Sequence, residues 1–522
     1  MFALDLVGNF GTVLTQLYRN SDTAAAPVLA QLYAHAPAGS TVTLGSHAYY
    51  EEFLVLLLTR GLPLHRQLWL LGPILMSLAG LCLLASCVRR LYGWWVAAIV
   101  ISVLICLGDL GMVSAFSWDA RGNAVVHTVV LLAALVLGGR RISSLSPGGL
   151  TVAAIALGLF SALPASGDVL FIVWGLMPFT FAALAGAYRS RDRASRRLAG
   201  FAVGTTVVAL IGGALLAAVL RGDGIEASAA QASYLVFATP AQLAKNLGSF
   251  LEGFTSLAGG DFFGQGIRSR LGAVTFLTGS LVLVALGAQL LAIKRRVLLV
   301  AGARMSQAGA AGEPAHARFL YFAFWSATLI LGLGAYLLAS PLETPASGRY
   351  LFGPYVALGA LLPLLLTGSR SRALVTVAAS LFAICASYRL HLELLPSRAP
   401  GPATAQAVER YVLSLGATKG YSEYWVSTAL TWEMNFHAEV VPVWPCPAAT
   451  SNALCSLKEV DISSWYRPRP HVRSFLIIDP NYPDVAGPSA GFGKPIASKS
   501  IDNLHVYVYP YDIAARLVQR YF

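Results

Sequence analysis

Charged side chains are scarce in this 522-residue chain. Asp, Glu, Lys and Arg together make up 12% of the residues, and hydrophobic residues make up 56%, whereas roughly a quarter of the residues of a soluble domain are charged. A soluble protein of this composition would expose large apolar patches and aggregate. Long apolar runs, of about the 20 residues that cross a bilayer, recur along most of the chain. The sequence therefore predicts a polytopic membrane protein.

Signatures of nucleotide-binding proteins and hydrolases are also missing from the sequence. It contains no Walker loop, no GxGxxG motif in a nucleotide-binding unit, no HExxH and no GxSxG. The Gly-rich "GGDFFGQG" lies in a loop that we expect outside the cytoplasm, where ATP is not available. The histidines show no metal-ligand spacing, so the sequence predicts neither a metal nor a cofactor.

Ten apolar runs are predicted to span the membrane, and a shortened N-terminal span brings the total to about 10–11. The runs are Gln67–Cys87, Trp94–Val113, Ala124–Gly138, Leu150–Leu163, Val169–Ala187, Leu198–Leu220, Ala273–Ile293, Phe319–Ser340, Leu351–Leu366 and Ala373–Tyr388. Met1–Tyr18 is apolar but short, is interrupted by Asp5 and lacks the basic region of a signal peptide. We interpret it as the stub of a first span.

Basic residues predict the orientation of these spans. They cluster on alternate connections, at Arg89–Arg90, Arg140–Arg141, Tyr188–Arg197, Lys294–Arg296 and "GSRSR" before Ala373. The positive-inside rule places these connections in the cytoplasm. The net charge of +12 then reflects topology and contact with membrane lipid, and we expect no nucleic-acid partner. The predicted location is the inner (plasma) membrane, with the first loop, residues 221–271 and the C-terminal tail on the periplasmic or extracellular side.

Composition divides the chain into three predicted regions. Residues 1–66 form the N-terminal stub and a structured external loop, residues 67–390 form the multi-span domain, and residues 391–522 form a small exoplasmic α/β domain. In this last region "GPATAQAVERYVLSLG" has helical spacing, "RSFLIID" and "NLHVYVYP" have the strand pattern, and "YWVSTALTWE" fits either. The fold class is therefore an all-α membrane domain with a small C-terminal α/β domain.

Two of the six cysteines lie in the external tail. Cys446 and Cys455 flank a loop rich in turn-forming residues, and an oxidising compartment favours a disulfide between them. Unpaired thiols are the alternative. The other cysteines lie in predicted spans, where cysteine behaves as a small apolar residue.

Several polar residues on the predicted external side are candidates for a functional site. Asp22 precedes the helical pattern "TAAAPVLAQLYAH", so its alternative role, shared with Thr23, is that of a helix cap. The cluster "GSHAYYEEF" contributes His47, Tyr50, Glu51 and Glu52, and an interfacial aromatic patch is the alternative there. Asp168 ends the short loop "PASGD", near "SWDARGN", and acids at membrane edges are common.

Arg349 is the one basic residue of the external segment "PLETPASGRYLFGPY". An arginine there acts against the topogenic bias, which indicates a function. Its planar fork matches phosphate oxygens. We therefore predict that Arg349 binds the phosphate of a lipid at headgroup depth, with snorkelling into headgroups as the alternative.

Four stretches of the sequence resemble bacterial C-type glycosyltransferases. They are "RNSDTAAAPVLAQLY", "PASGDVLFIVWGLMPF", "ASGRYLFGPYVALGALLPLLL" and "KGYSEYWVSTALTWEMNFHAEVVPV". These enzymes have the GT-C fold and take sugars from polyprenyl-phosphate donors. Many members carry a pair of acids where this chain has Ser21–Asp22.

The resemblance implies an integral-membrane hexosyl- or pentosyltransferase with a lipid, glycan or protein acceptor outside the cytoplasm. Asp22 would be the general base that takes the proton of the acceptor hydroxyl, and Arg349 with Tyr350 would bind the donor phosphate. Asp168, Glu51, Glu52, His47 and Tyr50 would supply acceptor contacts or a second acid. Direct attack on the sugar would invert its anomeric centre.

Two other functions remain open from the sequence. A transporter or flippase for a lipid-linked saccharide predicts polar residues midway through spans and two related halves, whereas Asp109 is the obvious acid inside a predicted span and no halves are visible. The third possibility is an inactive scaffold in envelope polysaccharide assembly.

Overall fold

The computed structural model describes residues 21–45, 49–62, 65–118, 121–227, 237–261, 267–302, 313–339, 345–366, 369–393, 402–446, 453–457, 460–480 and 490–518. The chain forms two compact units. Of the described residues, those within 71–217 and 237–393 belong to the first unit, and those within 21–70, 218–227 and 402–518 belong to the second.

In chain order, the helices are α1 Ser21–Tyr33, α2 Tyr50–Thr59, α3 His65–Tyr92, α4 Trp94–Ile105, α5 Asp109–Phe116, α6 Gly122–Val136, α7 Gly139–Ser144, α8 Pro147–Ala165, α9 Val169–Ser190, α10 Arg193–Gly222, α11 Pro240–Leu257, α12 Arg270–Gly302, α13 Glu313–Leu338, α14 Phe352–Ala360, α15 Ser369–Glu393, α16 Pro402–Ser414 and α17 Tyr424–Glu433. A π-helical turn, Ile172–Leu176, lies within α9.

Seven helices in the described part of the chain are long and apolar enough to cross a membrane. They are α3, α8, α9, α10, α12, α13 and α15, and the bent pair α4 and α5 makes an eighth if it is one span. Each of the seven overlaps a predicted span, so the prediction of a multi-pass membrane protein is confirmed. Met1–Tyr18, predicted to be a stub of a first span, lies outside the described residues.

The predicted span Trp94–Val113 is not one straight helix. It divides into α4 and α5, whose axes meet at 105°. At the break, the backbone N–H of Gly108 donates to Leu257 O (2.7 Å), and a Cβ on residue 108 would lie 2.3 Å from Gly259 N. Glycine therefore allows the backbone of another segment to replace the helical hydrogen-bond partner.

The predicted span Leu351–Leu366 is also interrupted. Helix α14 covers nine of its residues, all of them buried, and a 3-10 turn at Leu362–Leu364 follows. Pro363 lacks the N–H that would continue the helix. Side chains from two neighbouring helices satisfy the last carbonyls of α14, because Gln289 donates to Leu358 O (2.7 Å) and Tyr321 donates to Ala360 O (2.7 Å). Where water is absent, such side chains replace it as hydrogen-bond donors.

The second unit contains a six-stranded mixed sheet. Its strands are β3 Ala417–Glu423, β4 Glu439–Pro445, β5 Leu454–Ser456, β7 Arg473–Ile478, β8 Ala497–Ile501 and β9 Leu504–Tyr509, in the order β5-β4-β3-β7-β9-β8. Strand β3 is parallel to β4 and β7, and the other pairs are antiparallel. The stretch predicted as a helix, "GPATAQAVERYVLSLG", contains α16, and the stretches predicted as strands, "RSFLIID" and "NLHVYVYP", contain β7 and β9. The stretch "YWVSTALTWE", which fitted either pattern, forms helix α17. The small α/β domain is confirmed.

A second, three-stranded sheet joins three distant parts of the same unit. Strand β1 (Val42–Leu44) lies between β2 (Ile225–Ala227) and β6 (Asp461–Ile462), parallel to β2 and antiparallel to β6. All three residues of β1 are buried. Strand β1, in the loop predicted to be external, is therefore held by partners far along the chain.

A buried ion pair joins Lys419, in strand β3 of the six-stranded sheet, to Asp512, which follows β9. Lys419 Nζ lies 2.9 Å from Asp512 Oδ2, and the two side chains are 0% and 1% exposed. Tyr421 donates its hydroxyl to Asp512 Oδ1 (2.6 Å), and the backbone N–H of Arg469 donates to Oδ2 (2.9 Å). Burial acts to raise the pKa of Asp512, but the hydrogen bond from Tyr421 and the charge of Lys419 outweigh it, so the pKa lies below its usual value.

Cys446 and Cys455 form a disulfide, with Cα atoms 5.2 Å apart. The bond closes a short loop between β4 and β5, two strands that also pair with each other. We expect Cys446→Ser to lower the free energy of unfolding of the second unit by about 2–3 kcal/mol, because a short loop gives a modest entropic gain. Thermal unfolding in detergent with and without reductant measures the effect. A variant that keeps the wild-type midpoint under oxidising conditions would contradict this expectation, and Cys82→Ser, outside the disulfide, is the control.

Candidate functional site

Two of the predicted external loops of the first unit are joined by an ion pair. Arg121 is the residue before α6, Asp168 is the residue before α9, and Arg121 Nη1 lies 2.9 Å from Asp168 Oδ1. The same oxygen accepts the backbone N–H of Leu170 (2.9 Å), so the carboxylate caps its helix. The side chains are 6% and 18% exposed. The ion pair therefore holds the starts of two helices together at one edge of the unit.

A third loop that is predicted to be external contacts this pair through Tyr350. The Cζ of Arg121 lies 5.1 Å from the centroid of the Tyr350 ring, and the Cζ of Arg349 lies 5.4 Å from it. Both distances are within the range of cation–π attraction. Arg349 and Tyr350, predicted together as phosphate-binding residues, thus lie beside Arg121 and Asp168. We call these four residues the arginine cluster.

Close backbone packing sets the position of Arg349 and Tyr350. Both belong to a 3-10 turn, Pro345–Leu351. A Cβ on Gly348 would lie 2.6 Å from the Cα of Gly253 in α11, and a Cβ on Gly353 would lie 2.3 Å from the Trp174 ring in α9. Side chains at either glycine would push the turn away from its neighbours.

The arginine cluster has the chemistry of an anion site. Two guanidinium groups and one carboxylate sum to one positive charge, and Arg349 and Tyr350 are only partly buried. The same unit contains an apolar crevice, whose lining includes Gly122, one position after Arg121 in sequence, and Phe352, two positions after Tyr350. A phosphate with an apolar chain fits this combination of groups.

Asp22 lies in the second unit, in the first turn of α1. Ser21, Asp22 and Thr23 all lie within the described part of α1. The half-buried Asp22 side chain accepts a hydrogen bond from Tyr424, whose hydroxyl lies 2.5 Å from Asp22 Oδ1. A negative charge in the first turn also suits the helix dipole. The prediction that Asp22 and Arg349 face one pocket stays a prediction.

The other predicted residues of the first loop lie in α2 or just before it. Tyr50, Glu51 and Glu52 form the first turn of α2, and His47 lies outside the described residues. Tyr50 is buried, and this burial raises the pKa of its hydroxyl, with Arg221 acting in the opposite direction. Glu51 and Glu52 are half-buried. Within the residues that the structure describes, no group of three or more His, Cys, Asp or Glu side chains could hold a metal ion.

Two residues of this arrangement were not selected from the sequence. Arg121 carries the same signal as Arg349, because it is an arginine in a predicted external loop. Tyr424 carries no such signal, since its partner Asp22 is 402 residues away in sequence.

Comparisons with known proteins identify the fold. No family model and no curated protein matches the chain. The crystal structure of ArnT from Cupriavidus metallidurans bound to undecaprenyl phosphate is similar over 97% of both chains, with 10% identity and a TM-score of 0.51. The apo form of that protein (99% of both chains, 12% identity) and an Archaeoglobus fulgidus oligosaccharyltransferase tethered with an acceptor peptide (81% of this chain, 59% of that one, 12% identity) each give a TM-score of 0.39.

The similarity to the lipid-bound ArnT structure covers nearly the whole chain, and at 10% identity it concerns the fold. ArnT has the GT-C fold. The fold that the four sequence stretches imply is therefore confirmed. This chain is a multi-pass membrane protein with the GT-C fold.

Proposed function

We propose that this protein is an integral-membrane glycosyltransferase that moves a sugar from a polyprenyl-phosphate donor to an acceptor outside the cytoplasm. The observation that carries the proposal is the arginine cluster, in which the guanidinium groups of Arg121 and Arg349 both lie against the Tyr350 ring. The same unit contains an apolar crevice. The GT-C fold supports it, because the similar ArnT structure is bound to undecaprenyl phosphate.

The arginine cluster binds the donor phosphate in this proposal. Arg349 and Tyr350 contact the phosphate, and Arg121 adds a second positive charge, held in place by Asp168. The phosphate is the leaving group and carries an added negative charge once the bond to the sugar breaks. Fixed guanidinium groups stabilise that charge without protonating it.

Asp22 is the proposed general base. A sugar hydroxyl is a poor nucleophile until its proton is removed, and a positioned carboxylate removes it as the new bond forms. The hydroxyl oxygen attacks the anomeric carbon from the face opposite the phosphate, so the product has inverted configuration. Contacts of Asp168, Glu51, Glu52, His47 and Tyr50 with the acceptor stay predictions.

The alternate placement of basic residues supports an inner-membrane location with the second unit in the periplasm. Arg89 and Arg90 end α3, Arg140 and Arg141 lie in α7, and Arg370 and Arg372 begin α15. Arg121, Asp168 and Arg349 lie at the opposite helix ends, the ends that the positive-inside rule places outside.

The direct test is transfer of a radiolabelled sugar by the purified protein in liposomes. Polyprenyl-phosphate sugars are supplied as donors, and membrane extracts supply candidate acceptors. Label that moves into a new product, with release of free polyprenyl phosphate, supports the proposal. Movement of the intact donor between leaflets without transfer would favour a flippase instead.

We expect Arg349→Gln to lower kcat/KM for the donor by roughly tenfold to a hundredfold, because a charge-assisted hydrogen bond to the phosphate is lost. The loss should be smaller for a donor whose phosphate is replaced by a neutral group. Steady-state kinetics with a range of donor concentrations measures the change. Arg270→Gln is the matched control, an exposed arginine at the start of α12, and an equal loss in both variants would contradict the expectation.

A further inference from the structure

The hydrogen bond between Asp22 and Tyr424 connects two segments of the second unit that are far apart in sequence. The Tyr424 hydroxyl donates to Asp22 Oδ1 over 2.5 Å, across 402 residues of chain. Hydrogen bonds to a carboxylate are short and about twice as strong as those between neutral groups. The proposed base is thus held by a residue of the C-terminal domain.

Tyr424 is itself rigidly placed. It is the first residue of α17 and directly follows Glu423, the last residue of β3. Glu423 is fully buried. Strand β3 is paired on both sides, by β4 and β7. The Ser422 hydroxyl also donates across the sheet to Ile477 O (3.1 Å). The ring of Tyr424 therefore projects from the central part of the sheet, whose backbone has little freedom to move.

Two other hydrogen bonds, both to Ser21, hold α1 against α17. Thr428 donates its hydroxyl to Ser21 O (3.0 Å), and the backbone N–H of Ala429 donates to Ser21 Oγ (3.5 Å). Ser21 and Thr428 are fully buried. These bonds dock the helix without touching the carboxylate of Asp22. Docking of the helix and orientation of the carboxylate thus depend on different side chains and can be separated by mutation.

We propose that Tyr424 is a positioning residue that fixes the orientation of the Asp22 carboxylate for proton transfer, an inference that rests on the proposed function. In the reaction the acceptor hydroxyl gives its proton to Asp22, its oxygen bonds to the anomeric carbon, and the donor phosphate leaves with the electron pair of the broken bond. The phenol keeps its proton throughout. A carboxylate free to rotate loses the alignment that makes the attack effectively unimolecular.

The test compares Tyr424→Phe with Thr428→Val in the sugar-transfer assay. Each variant removes one hydroxyl of α17 and one hydrogen bond to α1. We expect Tyr424→Phe to lower kcat roughly tenfold to a hundredfold with KM for the donor unchanged, the loss of one hydrogen bond to a charged group. Thr428→Val should lower the thermal midpoint and leave kcat unchanged. Equal losses of kcat in the two variants would show that Tyr424 only docks the helix, and would overturn the inference.

A double variant separates this inference from the proposed function. If Tyr424 acts through Asp22, adding Tyr424→Phe to Asp22→Asn should cause no further loss of residual transfer, whereas an additive loss overturns the inference. If Tyr424→Phe does not fold, Tyr424→O-methyltyrosine removes the donated proton and keeps the ether oxygen. We expect the same loss of kcat from it, and wild-type kcat would overturn the inference. Absence of transfer by the wild-type protein with every donor would count against the function itself.

Discussion

Asp22→Asn is expected to lower sugar transfer about 10²–10⁴-fold, the contribution of a positioned general base. The amide has the shape of the carboxylate and keeps an oxygen that can accept the hydrogen bond of Tyr424. It cannot take a proton from the acceptor hydroxyl. Folding should be unchanged, so the loss should appear in kcat. Single-turnover transfer from labelled donor measures it.

Asp223→Asn is the matched control for this prediction. Asp223 is an exposed acid of the same unit, at the end of α10, and its backbone carbonyl accepts the hydroxyl of Tyr33. Its side chain has no part in the proposed mechanism, so wild-type transfer is expected. Retention of transfer by a folded Asp22→Asn protein would remove Asp22 from the role of base.

Lys419→Met is expected to lower the free energy of unfolding of the second unit by about 3–5 kcal/mol, because it leaves the buried carboxylate of Asp512 without its counter-charge. The apolar side chain fills most of the space of the lysine, so the cost is mainly electrostatic. Protease resistance and thermal unfolding in detergent measure the change. Lys499→Met is the control, since Lys499 is exposed on β8 of the same sheet, and an equal effect there would contradict the expectation.

Acidic pH should reduce the stabilisation that the ion pair between Lys419 and Asp512 provides. The pKa of Asp512 is lower in the folded protein than in the unfolded chain, so the unfolded state takes up a proton first as the pH falls. The stabilisation is complete above the unfolded value of about 4 and is lost as the pH falls through the folded value. We expect the Lys419→Met protein to lose less stability over this acidic range than the wild-type protein does.

Hydrophobicity and local patterns predicted much of the fold. Helices Arg193–Gly222 and Arg270–Arg296 each contain an apolar run long enough to cross a bilayer, with their basic residues at the ends. Strand β7 contains a continuous apolar run and strand β9 alternates, and Asp479 and Pro510 follow them, so the sequence predicted both as strands. These features depend on neighbours in sequence.

Features that depend on distant partners were not predicted. The break at Gly108 needs the carbonyl of Leu257, nearly 150 residues away, so Trp94–Val113 reads as one helix. Arg121 has an evident charge, but three helices separate it in sequence from its partner Asp168. Charge and predicted external position made Asp22 and Arg349 candidates, and the family resemblance gave them roles. Only the structure shows what each side chain contacts.

The three-stranded sheet has a consequence for biosynthesis. Strand β1 acquires its first partner about 180 residues after it is made and its second, β6, only near the end of translation. Until then the strand has open edges, the kind that other chains can pair with. In the proposed topology Asp22, too, reaches Tyr424 only after residue 424 has crossed the bilayer. A nascent chain whose membrane helices are all inserted would therefore still lack the hydrogen bond from Tyr424 to the proposed base Asp22. The proposed activity would appear only once the C-terminal tail has been exported and has folded.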